Sequence, residues 1–185
     1  VAALWFREQL AAPAGAPGRR LLQDRGMTAD TIALLGMGFA PASGGLGTRL
    51  MKEGFAEPLL LKSGLVMQRD QGPPRDRFRN RLMIPIHRDN GAIVAFGGRA
   101  MDAGQQPKYL NSPETAIYVK GRTLYGLNLA KQAIGRLKYA VLVEGYFDWA
   151  QAYQAGITNV VASSGTALTP AQARLLRRFA GKVIL

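Results

Sequence analysis

The stretch Val141-Leu142-Val143-Glu144-Gly145-Tyr146-Phe147-Asp148 decides how the rest of the chain is read. An apolar run that reads as a buried strand stops at a carboxylate and a glycine, and a second carboxylate follows at Asp148. In an open α/β sheet, ligands bind in the crevice outside the carboxyl ends of the strands. Glu144 therefore stands where an acid can meet a metal ion or a proton. A charge that merely closes a strand is the other reading, and these eight residues leave both open.

Working outward, the rhythm after Tyr139 is strand, helix, strand, helix, strand. Residues 140–143 predict a strand, 147–155 a helix, 159–162 a strand and 169–179 a helix. Thr169 caps that last helix, with Pro170 at its first position. Val183-Ile184-Leu185 reads as the opening of a further buried strand. Such alternation predicts a parallel sheet with helices against its faces.

Upstream the pattern differs. Residues 1–68 read as mostly helical, with Pro13, Gly15, Pro17 and Gly18 breaking the first helix from the second. Thr28 is a cap ahead of Ile32, Leu34 and Leu35, and Ser43-Gly44-Gly45-Leu46-Gly47 is a loop before a short helix. A further helix starts at Pro58-Leu59-Leu60-Leu61. Gln71-Gly72-Pro73-Pro74 marks a boundary, after which strands take over. Residues 82–86 and 92–96 flank Asp89-Asn90-Gly91, a strong hairpin turn, and Pro85 calls for an edge position or an unpaired amide. Residues 124–137 are helical. The chain thus divides into a helical part, 1–68, a basic α+β part, 69–138, and an α/β part, 139–185.

With 185 residues the chain can bury a substantial core. It has no cysteine, which excludes a disulfide framework and a thiolate zinc site within these residues. Apolar runs fall far short of the ~20 residues that span a bilayer, and residues 1–10 do not resemble a secretory signal. The net charge of +12 points to a polyanionic partner. Residues 69–138 hold 13 of the 24 Lys and Arg against 5 Asp and Glu, interleaved with Phe78, Phe96, Tyr109, Tyr118 and Tyr125. No basic amphipathic helix of the membrane-surface kind is evident, so nucleic acid is the favoured partner, against the plainer reading of a solvated charged face. The opening at Val1 and the close on an apolar run read as an excerpt of a longer protein.

A series of motifs carries a closer likeness. Asp76-Arg77-Phe78-Arg79-Asn80-Arg81, Phe96-Gly97-Gly98-Arg99 and Pro107-Lys108-Tyr109-Leu110-Asn111-Ser112-Pro113-Glu114-Thr115 come first. Lys120-Gly121-Arg122-Thr123-Leu124-Tyr125-Gly126, Val143-Glu144-Gly145-Tyr146-Phe147-Asp148 and Ser164-Gly165-Thr166-Ala167 follow. In order and spacing they resemble the bacterial replicative primases, the DnaG family, and Arg25-Gly26 resembles a further motif of that family. The Pro107–Thr115 run is highly specific, whereas the Glu-Gly pair alone is shared by many Toprim proteins.

The resemblance implies an amino-terminal α+β subdomain of a primase RNA-polymerase core, followed from residue 139 by the opening part of a Toprim parallel sheet. It implies template-directed joining of ribonucleotides into a short RNA primer on single-stranded DNA, in the bacterial cytoplasm at the nucleoid. The implied partners are the template, ribonucleoside triphosphates, the RNA/DNA hybrid and, through a domain outside these residues, the replicative helicase; no membrane is implied. A zinc module is expected only upstream. Toprim sites use two divalent ions, Mg²⁺ or Mn²⁺, held by a Glu and an Asp-x-Asp pair. Glu144 matches the metal-binding Glu, and Glu144 and Asp148 are the candidate catalytic acids. Two such ions ~3.5–4 Å apart stabilise the attacking and leaving oxygens of a phosphoryl displacement. No acid follows Asp148 in this sequence, so the expectation is a partial metal site and no synthesis by these 185 residues alone.

The resemblance places Arg99 and Lys108 toward the active cleft, handling nucleotide phosphates or template, and gives Arg25 the same role more weakly. Arg77, Arg79 and Arg81 alternate at period two, so on an extended segment all three point one way and can follow a strand's phosphates. An ordinary solvated edge is the alternative. Lys120-Gly121 reads as a structural turn. Ser164-Gly165-Thr166 either presents backbone amides to a phosphate or is a plain strand-to-helix turn. Asp148 is also the kind of acid that the dipole favours at a helix start. Tyr109 stacks on a base or packs in the core, Asn111 fixes its loop, His87 is a surface residue, and Trp5 and Trp149 are packing residues. Two other functions share parts of this pattern. Another Toprim enzyme, a topoisomerase or nuclease, has no reason to keep Lys108-Tyr109-Leu110-Asn111-Ser112; a non-catalytic single-strand-binding module would lack carboxylates after Leu185.

Overall fold

The computed structural model describes all 185 residues except Thr166, and the chain forms two compact units. One comprises Val1–Pro85 with Phe96–Thr115, the other Ile86–Ala95 with Ala116–Leu185.

In the first unit, helix α1 (Ala2–Ala11) buries Trp5, Phe6 and Leu10. Phe6 meets Trp5 and Phe96 edge to face, with centroids 5.4 and 5.2 Å apart, the geometry aromatic quadrupoles prefer. Helices α2 (Ala16–Asp24) and α3 (Ala29–Leu35) follow. Thr28 accepts from the Thr31 amide to cap α3, and Gly36 ends it in the left-handed conformation at φ 61°. Helices α4 (Leu46–Lys52) and α5 (Glu57–Ser63) complete the helical layer. Its core gathers Phe6, Leu46, Leu50, Leu60, Phe78 and Met83.

A four-stranded sheet carries this layer, in the order β1 (Gly38–Ala40), β4 (Arg81–His87), β5 (Ile93–Ala100), β6 (Tyr109–Asn111). A small antiparallel ladder of β2 (Val66–Met67) and β3 (Arg75–Asp76) spans the loop that holds Gln71-Gly72-Pro73-Pro74. β1 pairs with β4 only as far as Met83, so Pro85 lies past its end with no amide missed. The hairpin turn forms as expected: the Gly91 amide donates to the Arg88 carbonyl, and Asn90 Oδ1 accepts from the Ala92 amide.

In the second unit a three-stranded parallel sheet runs β8 (Val160–Ala162), β7 (Tyr139–Val143), β9 (Lys182–Ile184). Helix α7 (Tyr146–Gln154) links β7 to β8, and α8 (Pro170–Arg177) links β8 to β9. Helix α6 (Leu127–Leu137) packs Leu127, Ala130 and Ile134 against Ala140, Val161 and Leu176. Trp149 is fully buried, stacks on Tyr153 and donates its indole N–H to the Val160 carbonyl at 2.7 Å. Its ring occupies the space a side chain at residue 126 would need, which is why Gly126 stands there at φ 76°.

The α+β then α/β expectation holds, with local corrections. Residues 1–68 contain two short strands, β1 and β2, whose apolar residues also fit a helical reading. The break after α1 is a single turn of 3-10 helix, Pro13–Gly15, and Pro17 and Gly18 sit inside α2 because Pro is tolerated in a first helical turn. β9 is not buried: all three of its residues are exposed at the sheet edge. β7 is mostly half-buried, with Ala140 alone fully covered.

Candidate nucleic-acid interface

The segment from Arg75 to Arg81 is not one straight stripe. Asn80 takes a positive φ of 50°, and this turn separates β3 from β4. Arg81 consequently points inward. It is 3% exposed and donates through Nη1 to the carbonyls of Gly98 and Pro107 at 3.0 and 2.9 Å. Gly98 must lack a side chain because its Cβ would come within 2.9 Å of the Arg81 stem and of Phe78. Arg81 is therefore scaffold, and the reading of three arginines on one face fails for it.

Arg77 and Arg79 do lie together. They line a cleft of about 370 Å³ with Arg75, Asp76, Gln105 and Gln106, and buried Arg81 forms part of its wall. Arg79 is exposed, and its Nε donates to the Ala42 carbonyl at 2.7 Å. Arg77 is half-buried, reaches the Asn111 carbonyl through Nη2, and keeps Nε buried with no partner. Burial pulls the guanidinium pKa of both Arg77 and Arg81 below the ordinary arginine value. Among the described residues Arg75, Arg77 and Arg79 form no ion pair, and the one acid in the lining, Asp76, spends its carboxylate on backbone amides. Planar guanidinium forks at the mouth of such a cleft suit bidentate phosphate contacts.

Arg99 and Lys108 lie on neighbouring segments but one step out of register with each other, Lys108 standing opposite Ala100. β5 pairs Arg99 with Tyr109 across the ladder to β6, and the Ala100 amide donates to the Lys108 carbonyl. Lys108 and Tyr109 are exposed. Arg99 also lines a second cavity, of about 520 Å³, with Arg20 and Asp24 of α2. Arg25 is the exposed C-terminal cap of that helix, one residue past Asp24. Sequence reasoning missed Arg20 and Arg75; only the alternation Arg75, Arg77, Arg79 carried a signal, and for Arg20 there was none.

The two candidate catalytic acids lie in the second unit. Glu144 directly follows β7 and is exposed, and its carboxylate makes no hydrogen bond or ion pair among the described residues. Asp148, in the first turn of α7, accepts from the Gly145 amide at 3.0 Å, so it does the work of a helix-start acid. Beside them, the Gly165 amide donates to the Glu144 carbonyl and the Ser163 amide to that of Val143. Gly165 thus holds the strand end and does not present its amide to a phosphate; Thr166, the last residue of that motif, lies outside the described residues. Among the described residues no group of three or more His, Cys, Asp or Glu is placed to hold a metal ion. Glu144 and Asp148 alone do not fit a two-ion centre.

Other expectations resolve simply. The turn at Lys120-Gly121 is structural: Thr169 Oγ1 donates to the Gly121 carbonyl, and buried Gln172 donates to the carbonyls of Lys120 and Thr123. Trp5 and Trp149 pack as expected. His87 is not a surface residue but half-buried in the wall of a pocket with Arg88, Val94 and Leu124, and burial lowers its pKa.

Comparison with known proteins settles the family. The model of the DNA primase catalytic core, N-terminal domain, matches residues 5–131, and a Toprim domain model matches residues 138–185. The chain belongs to the DNA primase catalytic-core family. A DNA primase of Synechococcus elongatus is 44% identical over 183 residues, covering 97% of this chain and 26% of that protein. The RNA polymerase domain of Mycobacterium tuberculosis primase superposes with a TM-score of 0.92 at 37% identity, covering 98% of this chain and 62% of that one. A DnaG primase catalytic domain bound to single-stranded DNA is 36% identical, with a TM-score of 0.86, over 98% of this chain and 56% of that one. The chain spans about a quarter of the length of the curated primases it matches. No helix among the described residues is long and apolar enough to cross a membrane.

Proposed function

We propose that this stretch is the part of a primase that holds the single-stranded DNA template and incoming ribonucleotides while a short RNA primer is made. The observation that carries the reading is the cleft of Arg75, Arg77 and Arg79, none of them ion-paired among the described residues, on a primase-core fold. Arg77 and Arg79 in this cleft take template phosphates, while Arg99 on β5 and Lys108 just before β6 take nucleotide phosphates, with Arg25 in support. The RNA/DNA hybrid is the product held, and the replicative helicase the partner of the whole protein in the bacterial cytoplasm.

Glu144, with its carboxylate unengaged at a strand end, supplies one ligand toward Mg²⁺ or Mn²⁺; the described residues do not supply the rest. Such ions would stabilise charge on the reacting oxygens when bound. Asp148 keeps the first turn of α7, and with it Glu144, in place.

The test is primer synthesis by the full-length protein that contains this stretch, on a single-stranded template with ribonucleoside triphosphates and Mg²⁺. Glu144→Gln is expected to lower synthesis by about 100-fold or more, as loss of a metal-organising charge does. Undiminished synthesis by that variant would overturn the assignment. Residues 1–185 alone are expected to bind template without extending it.

A further inference from the structure

One acid sits inside the arginine cleft, and its bonds are unusual. Asp76 Oδ2 accepts from the backbone amides of Gly45 and Leu46 at 2.7 and 2.8 Å, and Oδ1 accepts from that of Gly47 at 2.8 Å. Its carboxylate is engaged with three N–H groups about thirty residues away in sequence, and forms no ion pair with Arg75, Arg77 or Arg79 among the described residues. Three residues on, Arg79 Nε donates to the Ala42 carbonyl of the same loop. Segments 42–47 and 76–79 are thus fastened at both ends, by an acceptor at one and a donor at the other. Between the two fasteners lie Arg77, whose amide is held by the Leu65 carbonyl, and Phe78, which is buried in the core.

The loop leaves room for this carboxylate by omitting side chains. A Cβ at Gly44 would stand 2.9 Å from Asp76 Oδ2, and one at Gly47 would stand 3.1 Å from Oδ1. Gly45 holds φ at 124°, a conformation side-chain-bearing residues rarely adopt. Ser43-Gly44-Gly45-Leu46-Gly47 is glycine-rich because an aspartate from another segment must reach its amides.

We infer that Asp76 is a positioning residue for template binding: it fastens segment 42–47, the loop that runs into the first turn of α4, to the arginine segment and so holds Arg77 and Arg79 in the cleft. This rests on the proposed role of the cleft. An acid in a phosphate-binding cleft ordinarily repels the ligand; here its charge is absorbed by three amides and its geometric effect dominates. The two effects have opposite signs, which makes the inference testable.

The experiment measures binding of a fluorescent single-stranded oligodeoxynucleotide by residues 1–185 across a range of salt, for the unaltered chain and for Asp76→Asn. Asparagine keeps one oxygen acceptor but brings an N–H₂ that clashes with the facing amides, while net charge rises by one. Positioning predicts about tenfold weaker binding at low salt and a salt slope shallower by ~0.7, one phosphate contact. Equal or tighter binding with an unchanged slope, the result charge alone gives, overturns the inference. Asp76→Glu, which keeps the charge but displaces the oxygens, is expected to weaken binding as well; full binding by it also overturns the inference. Should Asp76→Asn fail to fold, as judged by circular dichroism, Gly47→Ala crowds Oδ1 and the Val66 methyl at 3.1 Å while leaving the carboxylate and its charge in the sequence, and must show the same loss. If the unaltered chain itself binds with no salt dependence, the reading of the cleft fails instead.

Discussion

The two units differ in how directly their sequence reports their structure. From β7 to β9, each element is a separate burst of one periodicity, and strand–helix–strand order is visible because every strand must be followed by a helix to return parallel. The stretch from Arg75 to Asn111 has the opposite character. Its main strands, β4 and β5, are long, at seven and eight residues, yet identical residue types do different jobs within six positions. Arg79 is exposed at a cleft, whereas Arg81, two residues on, is buried against two carbonyls.

That contrast is tested first in the scaffold. Trp149→Ala removes a fully buried ring and leaves the Val160 carbonyl without its donor, so urea unfolding should show a loss of ~3–5 kcal/mol. A loss below ~1 kcal/mol would mean the parallel sheet does not depend on that packing.

The arginine pair divides next. Arg81→Met orphans the Gly98 and Pro107 carbonyls and should cost ~2–4 kcal/mol of stability. Arg79→Ala should stay within about 1 kcal/mol in stability. The same Arg79→Ala variant should make the salt slope of single-stranded DNA binding shallower by ~0.7. If Arg81→Met left stability intact while weakening binding, the division into scaffold and interface would be wrong. Gln172→Ala, which removes a capping box and two donors to the Lys120 and Thr123 carbonyls, should cost ~1–2 kcal/mol.

The smallest expected effect is a pH dependence from His87. Its pKa is lowered from the ordinary 6.5 by burial, so the unfolded chain binds a proton at a pH where the folded chain does not. Stability from this residue is present above about pH 6.5 and is lost as pH falls below it. His87→Gln should flatten that part of the stability–pH curve; an unchanged curve would exclude the residue as its source.

The legible part of the fold follows from these physical differences. Thr28, Thr169 and Asn90 were readable because each bonds within three residues of itself. The turn at Lys120-Gly121 was recognised, but Gln172, which holds it from some fifty residues away, was not. Glu144 was placed at its strand end by pattern alone. Asp76 and Arg81 were not separable from their neighbours, since both act through backbone groups distant in sequence. β1 stayed hidden because three residues are too few to show a period.

The central claim is that the arginine cleft takes the phosphates of a single strand. Its most direct test compares the salt dependence of single-stranded DNA binding for residues 1–185 and for the Arg77→Ala, Arg79→Ala double variant, both checked for intact folding. A steep log–log slope for the unaltered chain, shallower by about 1.4 in the variant for two lost phosphate contacts, is the expected result. Parallel lines of equal affinity would place the nucleic-acid surface elsewhere on the molecule.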